Sequence, residues 1–352
     1  MRSDVIDIAK AIGIILMVVG HSGCPAWLHD FIYVFHMPLF FFLSGYCLKE
    51  SHLLQPWRFS VRRLKQIYWP FVKWNILFFA LNPLFFHIGI TNEHYTLSEI
   101  AQLAKSVLTM GTWHELLGPF WFLRYLLLTN VVAVVFMFLL RRWPQVRHTV
   151  FLLLPVLPTL GWLLGLPAFT KGQLMLCIFF YYSGFAMQQF MPRYNRWYYP
   201  LLWLLTIVFS LFVKTELPLM EPRLTLVYAI AALTGIALTL ATSHLISERF
   251  ARLTVPLAWL GRHTLLIMVW HLLCFKLVSY AYILLWQLPS DQLFYITIQP
   301  TYQTWWTWIP YALTGLLGSV LLIILPSLLK NKYHLIKLCI SVPLCSIKNK
   351  AP

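Results

Sequence analysis

Ten stretches of about 20 mostly apolar residues follow one another along the chain, and no other feature narrows its fold as far. They lie at about 5–24, 31–48, 68–86, 120–140, 149–166, 173–190, 198–213, 223–242, 258–286 and 309–329. A run of this length is what an α-helix needs to cross the ~30 Å hydrocarbon core of a bilayer. Inside that core a single segment satisfies its own backbone only as a helix. No soluble domain fits in the intervals. The expectation is an all-α, polytopic integral membrane protein with about ten transmembrane helices: one domain over 1–335, then a basic cytoplasmic tail over 336–352. Composition agrees, since only 11% of residues are charged against about 25% in soluble domains.

The formal net charge of +16 raises the question of a nucleic-acid partner, and the placement of the charges answers it. Lys49, Arg58, Arg62, Arg63 and Lys65 share one connection, Arg141, Arg142 and Arg147 a second, Arg193 and Arg196 a third, and Arg249 and Arg252, with Glu248, a fourth. They alternate with connections holding little charge: Lys105; Lys171; Lys214 with Arg223; Asp291. This is the positive-inside pattern. With Arg2 at the start and Lys330, Lys332, Lys337, Lys348 and Lys350 at the end, it predicts that both termini face the cytoplasm. The basic residues are thereby accounted for by the lipid bilayer, and no nucleic-acid partner is expected.

The six cysteines, at 24, 47, 177, 274, 339 and 345, show neither a CxxC pair nor metal-ligand spacing, so no disulfide framework and no metal site is expected. Gly23-Cys24 after an apolar run faintly resembles a lipoprotein signal. However, His21 stands three before the cysteine, where such signals carry an apolar residue, and Asp7 is out of place in a basic leader. The segment is expected to stay as the first helix.

Two connections have content of their own. Residues 87–119 contain a helix-like stretch that Thr96 or Ser98 can cap, with Leu97, Ile100, Leu103, Ala104 and Val107 on one stripe. It is expected to lie on the membrane surface. Residues 287–308 end in Trp305, Trp306 and Trp308, which suit either an interfacial aromatic belt or stacking on sugar rings. Prolines 155, 158 and 167 predict a kinked or short fifth span.

Ionisable side chains inside spans are costly and mark functional sites. Lys10 and His21 are eleven residues apart, three turns and about 20° on a helix, and thus share one face about 16 Å apart. Ile14 and Met17 lie between them, and Asp7 precedes Lys10 by three residues on the same side. This predicts a polar line from the cytoplasmic end to the outer half of the membrane. A tight turn near Leu28 and His29 would bring His36, on the second helix, to the depth of His21. His271 is a third membrane histidine whose partner the sequence does not fix. Arg124, one turn into its helix, either snorkels to the surface or complements a negative substrate. The stretch with Arg58, Arg62, Arg63 and Lys65 suits anionic lipid or phosphate oxygens.

These residues resemble the acyltransferase 3 family of integral-membrane acyltransferases. The opening block resembles the family pattern of a basic residue, ten residues and a histidine, here Lys10 to His21 after Asp7. "FHMPLFFFLSGY" (35–46), "FWFLRYLL" (120–127) and "GRHTLLIMVWH" (261–271) resemble three further family blocks. The chain departs from the family where Arg63 and Gln66 stand for arginine, two residues, arginine, and where His263 and Met268 stand for asparagine and tyrosine. The resemblance implies a ten-helix enzyme of the bacterial inner membrane. It would take acetyl, or another short acyl group, from cytoplasmic acyl-CoA as donor co-substrate and pass it to a hydroxyl of an outward-facing glycan or lipid-linked saccharide.

On that reading His21 is the general base, or else carries the acyl group; Lys10, held by Asp7, orients the donor; and His36 positions His21 or the acceptor. Arg62, Arg63 and Lys65 would hold the CoA phosphates, and Trp121 and Arg124 would meet the substrate. The competing class is a transporter or flippase using Asp7, Lys10 and His21 as a relay, although no paired inverted repeat is visible. A sensor or scaffold is a third option, for which aligned ionisable groups are poorly suited.

Overall fold

The computed structural model describes residues 4–166, 172–188 and 198–340, with side chains as far as Pro326 apart from that of Tyr198. Arg2, Pro167, Lys171, Arg193, Arg196, Cys345, Lys348 and Lys350 lie outside the described residues, as do the side chains of Lys330, Lys332, Lys337 and Cys339. Every described regular element is helical: α1 (Asp4–His21), α2 (Ala26–Tyr46), α3 (Glu50–Leu53), α4 (Pro56–His87), α5 (Leu97–Leu108), α6 (Trp121–Leu139), α7 (Pro144–Leu153), α8 (Val156–Leu163), α9 (Gln173–Met187), α10 (Tyr198–Phe212), α11 (Thr225–Arg249), α12 (Ala251–Arg262), α13 (Thr264–Trp286) and α14 (Trp308–Ile340). Each of the ten apolar runs falls on one or two of them.

By length and composition alone, α2, α6 with the 3-10 turn Glu115–Phe120 before it, α11 with the turn Pro222–Leu224, α13 and the stretch Trp308–Pro326 are able to cross a membrane. The bent pair α7 and α8 makes a sixth if it crosses as one unit. The other runs fall short for visible reasons. Asp4, Asp7 and Lys10 lie in α1, and Lys73, Asn75 and Asn82 dilute α4; α9 and α10 are apolar but have only 15 residues each. The polar residues that set these helices apart reappear below in the site and its supports.

Two expectations are revised. The run 258–286 is two helices, broken at His263, so α12 is free to pack along α1. α4 starts at Pro56 rather than near 68, because a proline at the first helical position launches the helix through the basic stretch. α5 runs beside α4: Tyr95 packs on Phe79, and Tyr68 donates a 2.6 Å hydrogen bond to the Leu108 carbonyl. Its stripe meets α4, leaving Leu97 exposed and Val107 buried. The fifth span kinks as its prolines require, with α7 and α8 meeting at 56°.

Close backbone approaches at glycines set the bundle. A Cβ on Gly45 of α2 would strike the Tyr181 carbonyl of α9, and one on Gly184 of α9 would strike the Phe42 carbonyl of α2. Likewise Gly261 of α12 lies against the Asp7 carbonyl of α1. Small residues permit such contacts in membrane bundles, where burial against lipid-like surfaces gives little driving force and packing must supply it. Large apolar side chains, among them Leu84, Phe136, Phe212, Leu285 and Leu317, remain on the outside of the bundle, as a lipid-facing surface requires.

Candidate active site

A cavity of about 360 Å³ runs between α1, α2, α4, α6, α12 and α13. One end is cationic. Lys10 reaches it from α1, Arg63 from α4 and Arg262 from the end of α12. Asp7, 1% exposed, accepts from Lys10 Nζ at 3.3 Å and lies 3.8 Å from Arg262 Nη1. A buried carboxylate needs such partners, and this one draws two cations from different helices to one rim. Gly261, packed on the backbone of Asp7, brings Arg262 within reach.

Arg63 is half-buried, stacks on the Phe59 ring at 5.2 Å and donates to Gln66 at 3.4 Å. Arg63, Gln66, Ile67 and Pro70 all line the cavity, and their i, i+3, i+4, i+7 spacing is one helical face. Arg62 and Lys65, placed with Arg63 at a phosphate site on sequence, are exposed and do not line it. Arg262 was not foreseen; its partner Asp7 lies at the other end of the chain, and its only signal was its place beside the glycine of "GRH".

The opposite end gathers aromatic and imidazole rings. His21 and His36 both line the cavity, as the hairpin geometry predicts, and Tyr33 stands between them. The Tyr33 hydroxyl is 3.4 Å from His21 Nδ1, and its ring packs edge-on against His36 with centroids 4.7 Å apart. His29 stacks on Tyr33 at 3.8 Å. His36 Nδ1 donates to the Ile32 carbonyl at 2.9 Å, which fixes its tautomer and leaves Nε2 as an acceptor. His271 does not line the cavity, but its ring is 5.5 Å from that of His21, and its Nδ1 bonds the Met268 carbonyl at 2.9 Å. Trp121 lines this end, whereas Arg124, one turn on, is exposed and faces away from it. Glu216, in the connection between α10 and α11, closes the rim 3.8 Å from His29 Nε2. Burial pushes its carboxyl above the usual carboxylate range, and His29 pulls the other way.

Between the two ends the lining is apolar: Ile14 and Met17 on α1, Met37 and Phe40 on α2, Leu123 on α6, Met268 on α13. The polar line expected from sequence is therefore polar at its ends and greasy for most of the ~16 Å that eleven helical residues cover. Among the described residues, no three His, Cys, Asp or Glu side chains come together in a way that could hold a metal ion. Cys24, Cys47, Cys177 and Cys274 are free thiols.

Comparison with known proteins gives this geometry a family. A family model described as an acyltransferase domain matches residues 4–324. Nodulation protein NolL of Mesorhizobium japonicum is 30% identical over 129 residues, which cover 33% of this chain and 31% of that protein. The alignment thus spans about a third of the relative's length. No solved structure matches. The family match takes in the whole cavity, from Lys10 to Met268, and Asp7 beside it, and the chain belongs to the acyltransferase 3 family of membrane acyltransferases.

Proposed function

We propose that this protein is an O-acyltransferase that carries a short acyl group from acyl-CoA on the cytoplasmic side to a hydroxyl of a saccharide on the other side of the membrane. The observation that supports this best is the division of the cavity. Three cations ring one mouth, an apolar passage follows, and a histidine held by a tyrosine stands at the far end. Acyl-CoA divides in the same order: charged phosphates, then a slender, weakly polar arm, then the thioester. Guanidinium forks suit phosphate oxygens. The apolar middle suits the arm, and it offers no hydrogen-bonding steps for the proton or ion relay of a transporter.

In this reading the protein spans the membrane about ten times, with the Lys10 end and both termini in the cytoplasm of a bacterial inner membrane. Lys10, Arg63 and Arg262 hold the donor phosphates, and Asp7 positions Lys10 and Arg262. His21 donates from Nδ1–H to the Tyr33 oxygen, so that Nε2 carries the lone pair. Nε2 removes the proton from the acceptor hydroxyl as that oxygen attacks the thioester carbonyl. A C–O bond forms, the C–S bond breaks, and the departing thiolate of CoA takes the proton from the imidazolium. General-base catalysis of this kind is worth roughly 10²–10⁴-fold. His36, with its tautomer fixed, and Trp121 orient the groups that meet at His21.

The test is purified protein in lipid nanodiscs with labelled acetyl-CoA and candidate surface glycans. Wild type should move label to a glycan, and His21→Ala, inserted and folded, should not. Transfer by His21→Ala at near wild-type rate would remove the base assignment. Failure of wild type to bind or consume acetyl-CoA would remove the donor.

A further inference from the structure

Past His21 the fold holds a second cavity, of about 750 Å³, whose lining residues are all distinct from those of the first. Gly23 and Cys24, in the turn that leaves α1, contribute to it, as do Glu115 and Leu116 and the segment 294–300 with Gln303. The 3-10 turn Glu115–Phe120 is a shared partition, because Pro119 faces the first cavity and Glu115 the second.

The segment that walls this cavity is irregular backbone folded back along α13. Lys276 lies ten residues before Trp286, about 15 Å from the end of the helix. Its Nζ nonetheless donates to the carbonyls of Leu293 (2.9 Å), Phe294 (3.2 Å) and Tyr295 (2.9 Å). The side chain is 4% exposed, and a buried ammonium is tolerated when its three donors are taken. More side chains pin the same segment. Ile298 N–H donates to the Tyr311 hydroxyl at 3.1 Å, Gln299 N–H to Gln292 Oε1 at 3.0 Å, and Gln303 Nε2 to the Ile298 carbonyl at 2.6 Å. Non-helical backbone at membrane depth persists where it is buried in protein or lines a water-filled cavity. Here the segment lines a cavity, and its backbone polar groups are held by these side chains.

The groups on the lining indicate a ligand class. They comprise the Glu115 carboxylate, the Thr297 hydroxyl, the Gln299 amide, the carbonyl oxygen of the Gln303 side chain, whose Nε2 is held by Ile298 and Thr297, and the rings of Phe294 and Tyr295, both more than a third exposed. Carboxylate and amides match a row of hydroxyls, and ring faces match the C–H face of a pyranose. Lys276 keeps its charge but is 4% exposed with its donors turned to carbonyls, so the charged group a ligand touches is the exposed carboxylate of Glu115, which disfavours an anionic ligand.

We infer that this cavity is an acceptor subsite that binds an uncharged saccharide unit and presents one of its hydroxyls to His21 across the partition. Delivery of that hydroxyl rests on the transfer reaction proposed above; binding does not.

Saturation-transfer NMR on protein in nanodiscs tests binding, with glucose, galactose, rhamnose and N-acetylglucosamine as neutral probes and glucuronate as the anionic one. At least one neutral sugar should receive saturation and glucuronate none. Titrations of that sugar should show affinity lowered by about fivefold in Glu115→Gln and in Tyr295→Ala, and unchanged in His21→Ala. Unchanged thermal melting and acetyl-CoA binding would show that both variants are folded. Binding of none of the neutral probes, equal binding of glucuronate, or unaltered affinity in both variants would overturn the subsite. If sugar binds as expected while acetyl-CoA is never consumed, the subsite stands and the transfer reaction falls. If transfer proceeds with unaltered acceptor KM in both variants, the transfer reaction stands and the subsite falls.

Discussion

Arg63 and Arg262 reach the cavity rim while Arg62 and Lys65 point away, and that difference makes the cationic mouth testable one residue at a time. Arg63→Gln and Arg262→Gln should each raise the KM for acyl-CoA by about tenfold or more, the range lost with a hydrogen bond to a charged group. Arg62→Gln and Lys65→Gln should leave it within about twofold, as exposed charges do. Donor titrations of the four variants check this; equal effects of Arg62 and Arg63 would mean the start of α4 acts only as a diffuse positive surface. Tyr33 makes a separate prediction. Tyr33→Phe removes the oxygen facing His21 Nδ1 while keeping the ring between His29 and His36. It should lower kcat by about fivefold with the donor KM unchanged, since a neutral hydrogen bond contributes about 1 kcal/mol. Steady-state kinetics separates the two parameters, and a change in donor KM alone would place Tyr33 in donor binding instead.

His21, Lys10 and Asp7 were legible in the sequence because their relation is local: three residues on one helix, at spacings that fix a face. The basic stretch was not resolvable in the same way, since which of Arg62, Arg63 and Lys65 turns inward depends on the phase of α4. Pro70, also on the cavity, carried that phase, and alignment on it selects Arg63 and Gln66. Arg262 and Tyr33 escaped for different reasons. The first acts through a contact between distant parts of the chain, and the second is an ordinary interfacial-looking tyrosine until the hairpin sets it beside His21.

Helices in this bundle depend on a few contacts that single substitutions reach. Gly45→Ala and Gly184→Ala each place a methyl group against the other helix's carbonyl, which the backbone relieves only by separating α2 from α9. α2 carries His36 and Tyr33, so the site should loosen with the crossing. We expect Gly45→Ala to lower the thermal midpoint in detergent and to lose activity, whereas Gly165→Ala, with open space around its Cβ, is strained only by its positive φ of 66°. Equal melting of wild type and Gly45→Ala would contradict the packing. α5 offers a pH-dependent counterpart. Glu99 accepts from the Thr96 N–H and hydroxyl at 2.8 Å, and these bonds hold its carboxyl below the usual carboxylate range. A depressed acid contributes stability above its unfolded value and loses it as pH falls through the folded one. Amide exchange in the first turn of α5 should therefore speed up, beyond the intrinsic rate change, only below about pH 4, and Glu99→Gln should remove that step. The sequence offered Thr96 or Ser98 as the cap; the structure selects Thr96, and Glu99 closes a capping box with it. The position of α5 was not legible, because an apolar stripe suits a neighbouring helix as well as a bilayer surface.

At the scale of the whole molecule, each of the two cavities has one cysteine on its lining. Cys47 lines the first cavity at the cationic end, beside Ser44 and Arg63, and it is exposed. Cys24 lines the second cavity beyond His21, while Cys177 and Cys274 are buried. With Cys339 and Cys345 changed to serine, a membrane-impermeant maleimide should thus read both the orientation and the path. In sealed right-side-out vesicles it should label Cys24 and spare Cys47; in inside-out vesicles the pattern should invert, with Cys177 and Cys274 silent in both. Acetyl-CoA should protect Cys47, because the donor's phosphates and arm would fill the mouth that Cys47 shares with Arg63, and it should leave the rate of Cys24 labelling unchanged. Labelling of both cysteines from one side would contradict a passage that spans the membrane from Lys10 to His21. Labelling of Cys47 from outside would reverse the orientation that the basic connections predict and would place the donor mouth on the side without acyl-CoA.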